Sequence, residues 1–125
     1  MNAIRWEPQI PGVGQDAPVE TNANGGRQSA SPYFFRGLPP LALVVVAKIM
    51  KDAAAKYEDP GNVYVDPTDR NWHKIEPWEH EEHALQHMIA HLAGDTQDDH
   101  LGHALTRLMM AVHQRETATS RGAPQ

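Results

Sequence analysis

Residues 76–113 read EPWEHEEHALQHMIAHLAGDTQDDHLGHALTRLMMAVH, and the spacing of histidine within them decides the fold. Six of the eight histidines lie between His80 and His103. His83, His87 and His91 are four residues apart, and on an α-helix such positions stand one above another. With His80 beside them they form one stripe, while Leu85, Met88 and Leu92 fall on a different face. Downstream the pattern recurs: His100, His103 and Arg107 share one face, and Leu101, Leu105, Leu108 and Val112 share another. Gly94 stands between the two groups, where a helix ends. Asp95, Asp98 and Asp99 follow, suited to a turn and to capping the next helix. The spacing predicts helices at about 77–93 and about 98–114, packed antiparallel as a hairpin whose polar stripes can face one pocket.

Upstream, Pro39-Pro40 opens another element, since proline fits the first helical turn, where its missing N–H costs nothing. The run from Leu41 to Tyr57 is apolar at most positions, broken on one side by Lys48, Lys51, Asp52 and Lys56. Val44, Val45 and Val46 would also suit a strand. Ala53, Ala54 and Ala55 carry the run past strand length, so it reads as a long helix. A helix this apolar needs cover on more than one side, and a homo-oligomer is expected.

Residues 58–75 form a long connection punctuated by Pro60, Gly61, Pro67 and Asp69, with Val63-Tyr64-Val65 as a short extended piece. Residues 1–31 hold Pro8, Pro11, Gly12, Gly14, Pro18, Gly25 and Gly26 with little periodicity, and read as a flexible tail with neither helix nor strand. Trp6 and Ile10 are the residues of this tail that could dock on something. Residues 117–125 read as a second flexible tail, leaving a helical domain over residues 32–116. The expected fold is all-α: the hairpin plus one long apolar helix.

A chain of 125 residues is one domain by its length. Its hydrophobic share of 40% and mean hydropathy of −0.58 are lean for a full-length core. The net charge of −5 argues against a sequence-independent nucleic-acid surface, and no sequence-specific one is expected either. There are no cysteines, which excludes disulfides, thiolate metal sites and cysteine nucleophiles and fits a cytoplasmic protein. No signal peptide is visible, and the run from Leu41 to Ala47 is too short to span a bilayer, so no membrane partner is expected.

Several chemistries compete for the hairpin. Histidines at i and i+4 can bind Zn²⁺ or another transition metal, with Asp95, Asp98 or Asp99 adding oxygen. Alternatively, Glu79-x-x-Glu82 and, after twelve intervening residues, Asp95-x-x-Asp98 could supply four carboxylates to Mg²⁺, a hard cation that holds a triphosphate. The plain alternative is an acidic helix whose rings face water. Arg70-Asn71-Trp72 joins groups that pair with phosphate, read a base edge and stack, so it can bind a flat anionic ligand. Against that, Trp72 can plug a core and Arg70 can pair with a surface acid.

Taken together, Arg36 with Leu38-Pro39-Pro40, Ala54-Ala55-Lys56-Tyr57, Arg70-Asn71-Trp72, His87, Gly94-Asp95 and His100-Leu101-Gly102-His103-Ala104 resemble the phage dATP/dGTP diphosphohydrolase N-terminal domain family. The resemblance runs from about Phe35 to Glu116. It implies hydrolysis of a purine deoxynucleoside triphosphate to the monophosphate and pyrophosphate. On that reading Glu79, Glu82, Asp95 and Asp98 hold Mg²⁺, and His87 and His103 contact phosphate or act as acid and base. Lys56, Tyr57, Arg70, Asn71, Trp72 and Arg107 hold the nucleotide. The same groups would serve a protein that sequesters a nucleotide or a nucleotide-derived signal without turnover. Histidine stripes binding metal at an assembly interface are a third reading. Three positions depart from the family: Glu58 replaces the Gly after Lys-Tyr ahead of a longer loop, Gln86 replaces an Arg, and Arg107 stands where Asn is common.

Overall fold

A computed structural model describes residues 10–59 and 69–120. The expectations for Trp6 and for residues 63–65 lie outside them. The described residues up to Leu38 form one compact unit and those from Pro39 onward another.

The first unit corrects the expectation that residues 1–31 hold no strand. Strands β1 (Val19–Thr21) and β2 (Arg27–Ser29) pair antiparallel, with Glu20 opposite Gln28. The turn between them is closed by one side chain: the Asn22 Oδ1 accepts from the N–H groups of Asn24 and Gly26, each at 2.9 Å. Gly25 supplies the left-handed residue, at φ +82°. Both strands are three residues long and exposed throughout, so no alternation of apolar and polar residues announces them. A 3-10 turn at Phe35–Gly37 follows.

The second unit is helical: α1 (Pro40–Lys56), a 3-10 turn at Asn71–Lys74, α2 (Pro77–Leu92) and α3 (His100–Ser120). Thus the chain is mostly helical, with three α-helices and one small sheet among its described residues. None of the described helices is long and apolar enough to cross a membrane.

Helix α2 stops where expected. Gly94 takes φ +82°, its N–H bonds the His91 carbonyl at 3.0 Å, and the Asp95 N–H reaches back to Ala90 at 3.0 Å. Helix α3 starts at His100 because Asp99 caps it, with Oδ1 accepting from the Gly102 N–H at 3.0 Å. It also runs on to Ser120, well past the expected end near residue 114. Gln114 Nε2 ties the helix to the 3-10 turn by donating to the Ile75 carbonyl at 2.7 Å, and within the extension Thr117 is buried, its hydroxyl donating back to the His113 carbonyl at 2.8 Å.

Helices α2 and α3 share the largest interface, and α1 packs mainly on α3. Gly102 lets α1 approach closely, since a Cβ there would lie 2.9 Å from the Val45 Cγ1. Contacts between α2 and α3 run in opposite directions along the two helices, His87 meeting His100 and His80 meeting Arg107. The buried apolar residues are few and mostly small: Val46, Ala84, Ala104, Met110 and Ala111. On α2 the stripe is split: His80 is buried and His87 half-buried, His83 and His91 are exposed, and Leu85, Ile89 and Leu92 face outward. His80 has no exposed surface, whereas Leu92 is 77% and Leu101 52% exposed.

Candidate functional site

A cavity of about 440 Å³ opens among α1, the 3-10 turn before α2, and the inner faces of α2 and α3. A small-molecule ligand fits a volume of this order. Lys56 and Tyr57 enter it from the end of α1, Asn71 and Trp72 from the 3-10 turn, and Arg107 from α3. His80, His83 and His103 complete its polar wall, with Asp52 and Asp59 as its acids. Five of the six residues expected to hold a nucleotide therefore line one cavity. Arg70 does not; it caps the 3-10 turn outside the lining.

Local structure explains how these groups come together. Helix α1 ends in a reversal: Glu58 takes φ +55° and the Asp59 N–H bonds the Ala54 carbonyl at 2.9 Å. The Asp59 carboxylate then accepts from the Asn71 N–H at 3.1 Å, which ties the end of α1 to the 3-10 turn. Lys56 lies over the Tyr57 ring, its Nζ 5.2 Å from the centroid. Trp72 packs edge-on against His113 of α3, with centroids 5.5 Å apart.

His80 sets the position of Arg107. Its Nε2 lies 2.7 Å from the Trp72 carbonyl oxygen, so that nitrogen carries the proton and donates. Its Nδ1 lies 3.0 Å from the Arg107 Nη1, and because guanidinium only donates, Nδ1 must offer its lone pair. The ring is thus a neutral bridge from Trp72 to Arg107. Burial, with Arg107 and His83 nearby, holds its pKa below the usual histidine value, against the pull of the Trp72 carbonyl.

A second cluster lies where α2 and α3 meet the turn between them. The Nδ1 atoms of His87 and His100 are 3.0 Å apart. The His100 Nε2 donates to the Asp95 carboxylate at 2.8 Å, and the His103 Nε2 faces the Asp98 carboxylate at 3.3 Å. His87 and His103 stack, their centroids 5.1 Å apart and their planes 23° apart. Burial, then the neighbouring His103 and His100, pushes the His87 pKa down. The hydrogen bond from His100, with the Gln97 N–H, holds Asp95 below the usual carboxylate range. The Asp99 N–H, more than His103, does the same for Asp98.

The two expected catalytic histidines, His87 and His103, are thus brought together, and only His103 reaches the cavity wall. His100, expected only as part of a stripe, is the hub of the cluster. The spacing His100-x-x-His103 beside Asp95 and Asp98 was the available signal; the pairing with His87 across helices was not local. The four carboxylates expected to hold Mg²⁺ are not assembled as a cage. Asp95 and Asp98 are engaged by histidine rings and turn N–H groups, and Glu82 is exposed on α2. Among the described residues no group of three or more histidine or carboxylate side chains is arranged to enclose a metal ion.

Comparison with curated proteins and with solved structures gives no match. A family model does match, described as dATP/dGTP diphosphohydrolase, N-terminal, and it covers residues 22–121. That span includes every side chain of the cavity and of the histidine cluster, so the chain belongs to the dATP/dGTP diphosphohydrolase N-terminal family.

Proposed function

We propose that the cavity binds a purine deoxynucleoside triphosphate and that the chain hydrolyses it to the monophosphate and pyrophosphate. The observation that carries this reading is the convergence of Lys56, Tyr57, Asn71, Trp72 and Arg107 on one cavity beside His103. Trp72 and Tyr57 offer faces on which a base can stack, and Asn71 can read a base edge. Lys56 and Arg107 neutralise phosphate charge, with Arg107 pre-aimed by His80. His103, paired with Asp98, is placed to hand a proton to or from the phosphates, and His87 buttresses its ring by stacking. Mg²⁺ dependence would rest on an ion carried in by the triphosphate, since the described residues offer no carboxylate cage for it.

In this reading α2, its turn and α3 act as a helical hairpin that presents the polar face to the ligand. The outward apolar rows would then be covered by a second copy of the chain, making the working form a homo-oligomer.

Incubation with dATP or dGTP and Mg²⁺ should release pyrophosphate. His103→Gln should abolish release while leaving nucleotide affinity largely intact. Arg107→Ala should weaken affinity by roughly ten- to a hundredfold, the loss of a charge-assisted phosphate contact. Wild-type protein that binds nucleotide without releasing pyrophosphate would identify a sequestering protein instead. Protein that does neither would end both readings.

A further inference from the structure

We propose that His80 is a positioning residue that couples the ring-binding and phosphate-binding groups of the cavity, so that a ligand joining a planar ring to a phosphate chain binds cooperatively through both. The inference rests on the nucleotide reading of the cavity and adds to it how base and phosphate act on each other.

The link is one buried side chain. His80 belongs to α2 and has no exposed surface. Its Nε2–H donates to the Trp72 carbonyl at 2.7 Å, and its Nδ1 accepts from the Arg107 Nη1 at 3.0 Å. Trp72 offers the stacking face and Arg107 the cation, and both line the cavity. The two bonds run in one direction, from guanidinium through imidazole to carbonyl, so each polarises the next. With the ring out of contact with solvent, water does not compete for either bond.

The Trp72 side of this link has a firm frame. The Asp59 carboxylate, just after α1, accepts from the Asn71 N–H at 3.1 Å. Gln114 Nε2, on α3, donates to the carbonyls of His73 at 3.3 Å and Ile75 at 2.7 Å. The 3-10 turn that carries Asn71 and Trp72 is therefore bonded to side chains on both sides of His80's own bond, and the indole packs edge-on against His113. Arg107 is different in kind. It is a long side chain that loses much rotamer freedom when it is fixed. His80 takes one of its N–H donors, and a phosphate can take others.

Coupling follows from this asymmetry. A ring stacked on Trp72 stills the turn and with it the Trp72 carbonyl. The carbonyl fixes the imidazole, and the imidazole fixes the guanidinium. Phosphate then meets an arginine that is already ordered, which lowers the entropic cost of binding it. By thermodynamic linkage, phosphate on Arg107 strengthens ring binding by the same factor. The cavity accordingly discriminates in favour of the intact nucleotide, against a nucleoside and against an inorganic polyphosphate.

The test titrates the full chain calorimetrically with two fragments, deoxyguanosine and pyrophosphate. In wild type, saturating deoxyguanosine should tighten pyrophosphate binding by on the order of tenfold, and saturating pyrophosphate should tighten deoxyguanosine binding by the same factor. His80→Leu should reduce that factor to one while each fragment still binds. His80→Gln should restore most of it, because an amide can both donate to the carbonyl and accept from the guanidinium. If His80→Leu does not fold, the ring-nitrogen resonances of His80 in wild type decide: they should move when either fragment is added alone, and resonances that respond to neither would overturn the proposal. Fragments that bind independently in wild type, or coupling that survives in His80→Leu, would also overturn it while leaving the nucleotide reading intact. A wild type that binds neither the fragments nor a non-hydrolysable dGTP analogue would overturn both.

Discussion

His80 shows how one buried ring couples stability to the site. It is wholly buried, yet both nitrogens are satisfied, one by the Trp72 carbonyl and one by Arg107. Protonation would set an N–H against the guanidinium and break the bridge. The pKa values of His80, His87 and His113 are all held below the usual histidine value, with burial the first cause in each. An unfolded chain therefore takes up protons that the folded chain refuses. Stability from these groups is complete above about pH 6.5 and is lost as pH falls through their lowered folded values. Thermal unfolding followed by circular dichroism should show the melting temperature falling from pH 7.5 to about pH 5.5. His80→Phe should lower stability by roughly 2–4 kcal/mol, because it leaves a buried carbonyl and Arg107 without their partner. It should also flatten that pH dependence; an unchanged profile would mean that His80 is not its source. From sequence, His80 could be placed on the histidine stripe, but its bonds reach eight residues back and 27 residues forward. Spacing rules within one helix do not cover such partners.

At the scale of elements, two helices end by the same device with different residues. Gly94 closes α2 at φ +82° and Glu58 closes α1 at φ +55°. The left-handed conformation costs a side-chain-bearing residue about 1 kcal/mol or more, and glycine nothing comparable. Glu58→Gly should accordingly raise stability by about 1 kcal/mol, and Gly94→Ala should lower it by about the same. Denaturant unfolding of the two variants checks both signs, and a loss on Glu58→Gly would contradict this account of the α1 terminus. Helix existence and the ends of α1 and α2 were legible because Pro40, Pro77 and Gly94 act locally. Two features were not. The far half of α3 is tied down by Gln114 reaching a 3-10 turn about forty residues away. The β1–β2 pair rests on Asn22, in a stretch with no alternating pattern. Period alone could separate the histidine stripe from the leucine row on each helix, but not say which turns inward. His80 joins Ala84, Ala104, Met110 and Ala111 in the interior, while Leu85, Ile89 and Leu92 of α2 stay exposed.

For the whole molecule, the exposed apolar rows have a consequence. Leu101, Leu105, Leu108 and Val112 repeat at intervals of four, three and four along α3, the spacing of a coiled-coil seam, and all four are exposed. Leu85, Ile89 and Leu92 continue an apolar surface on α2. A seam of this kind is self-complementary about a two-fold axis, so the chain should sediment as at least a dimer. Leu105→Glu with Leu108→Glu should convert it to a monomer that keeps its helical circular dichroism; a wild-type monomer at every concentration would contradict the expectation. Family membership and cavity meet in a single claim, that the space lined by Trp72, Asn71 and Arg107 receives a purine nucleotide. Calorimetric titration with a non-hydrolysable dGTP or dATP analogue tests it most directly. The account predicts one site per chain, with binding lost in Trp72→Ala and weakened in Arg107→Ala. Saturable binding that is indifferent to both substitutions, or no binding at all, would contradict it.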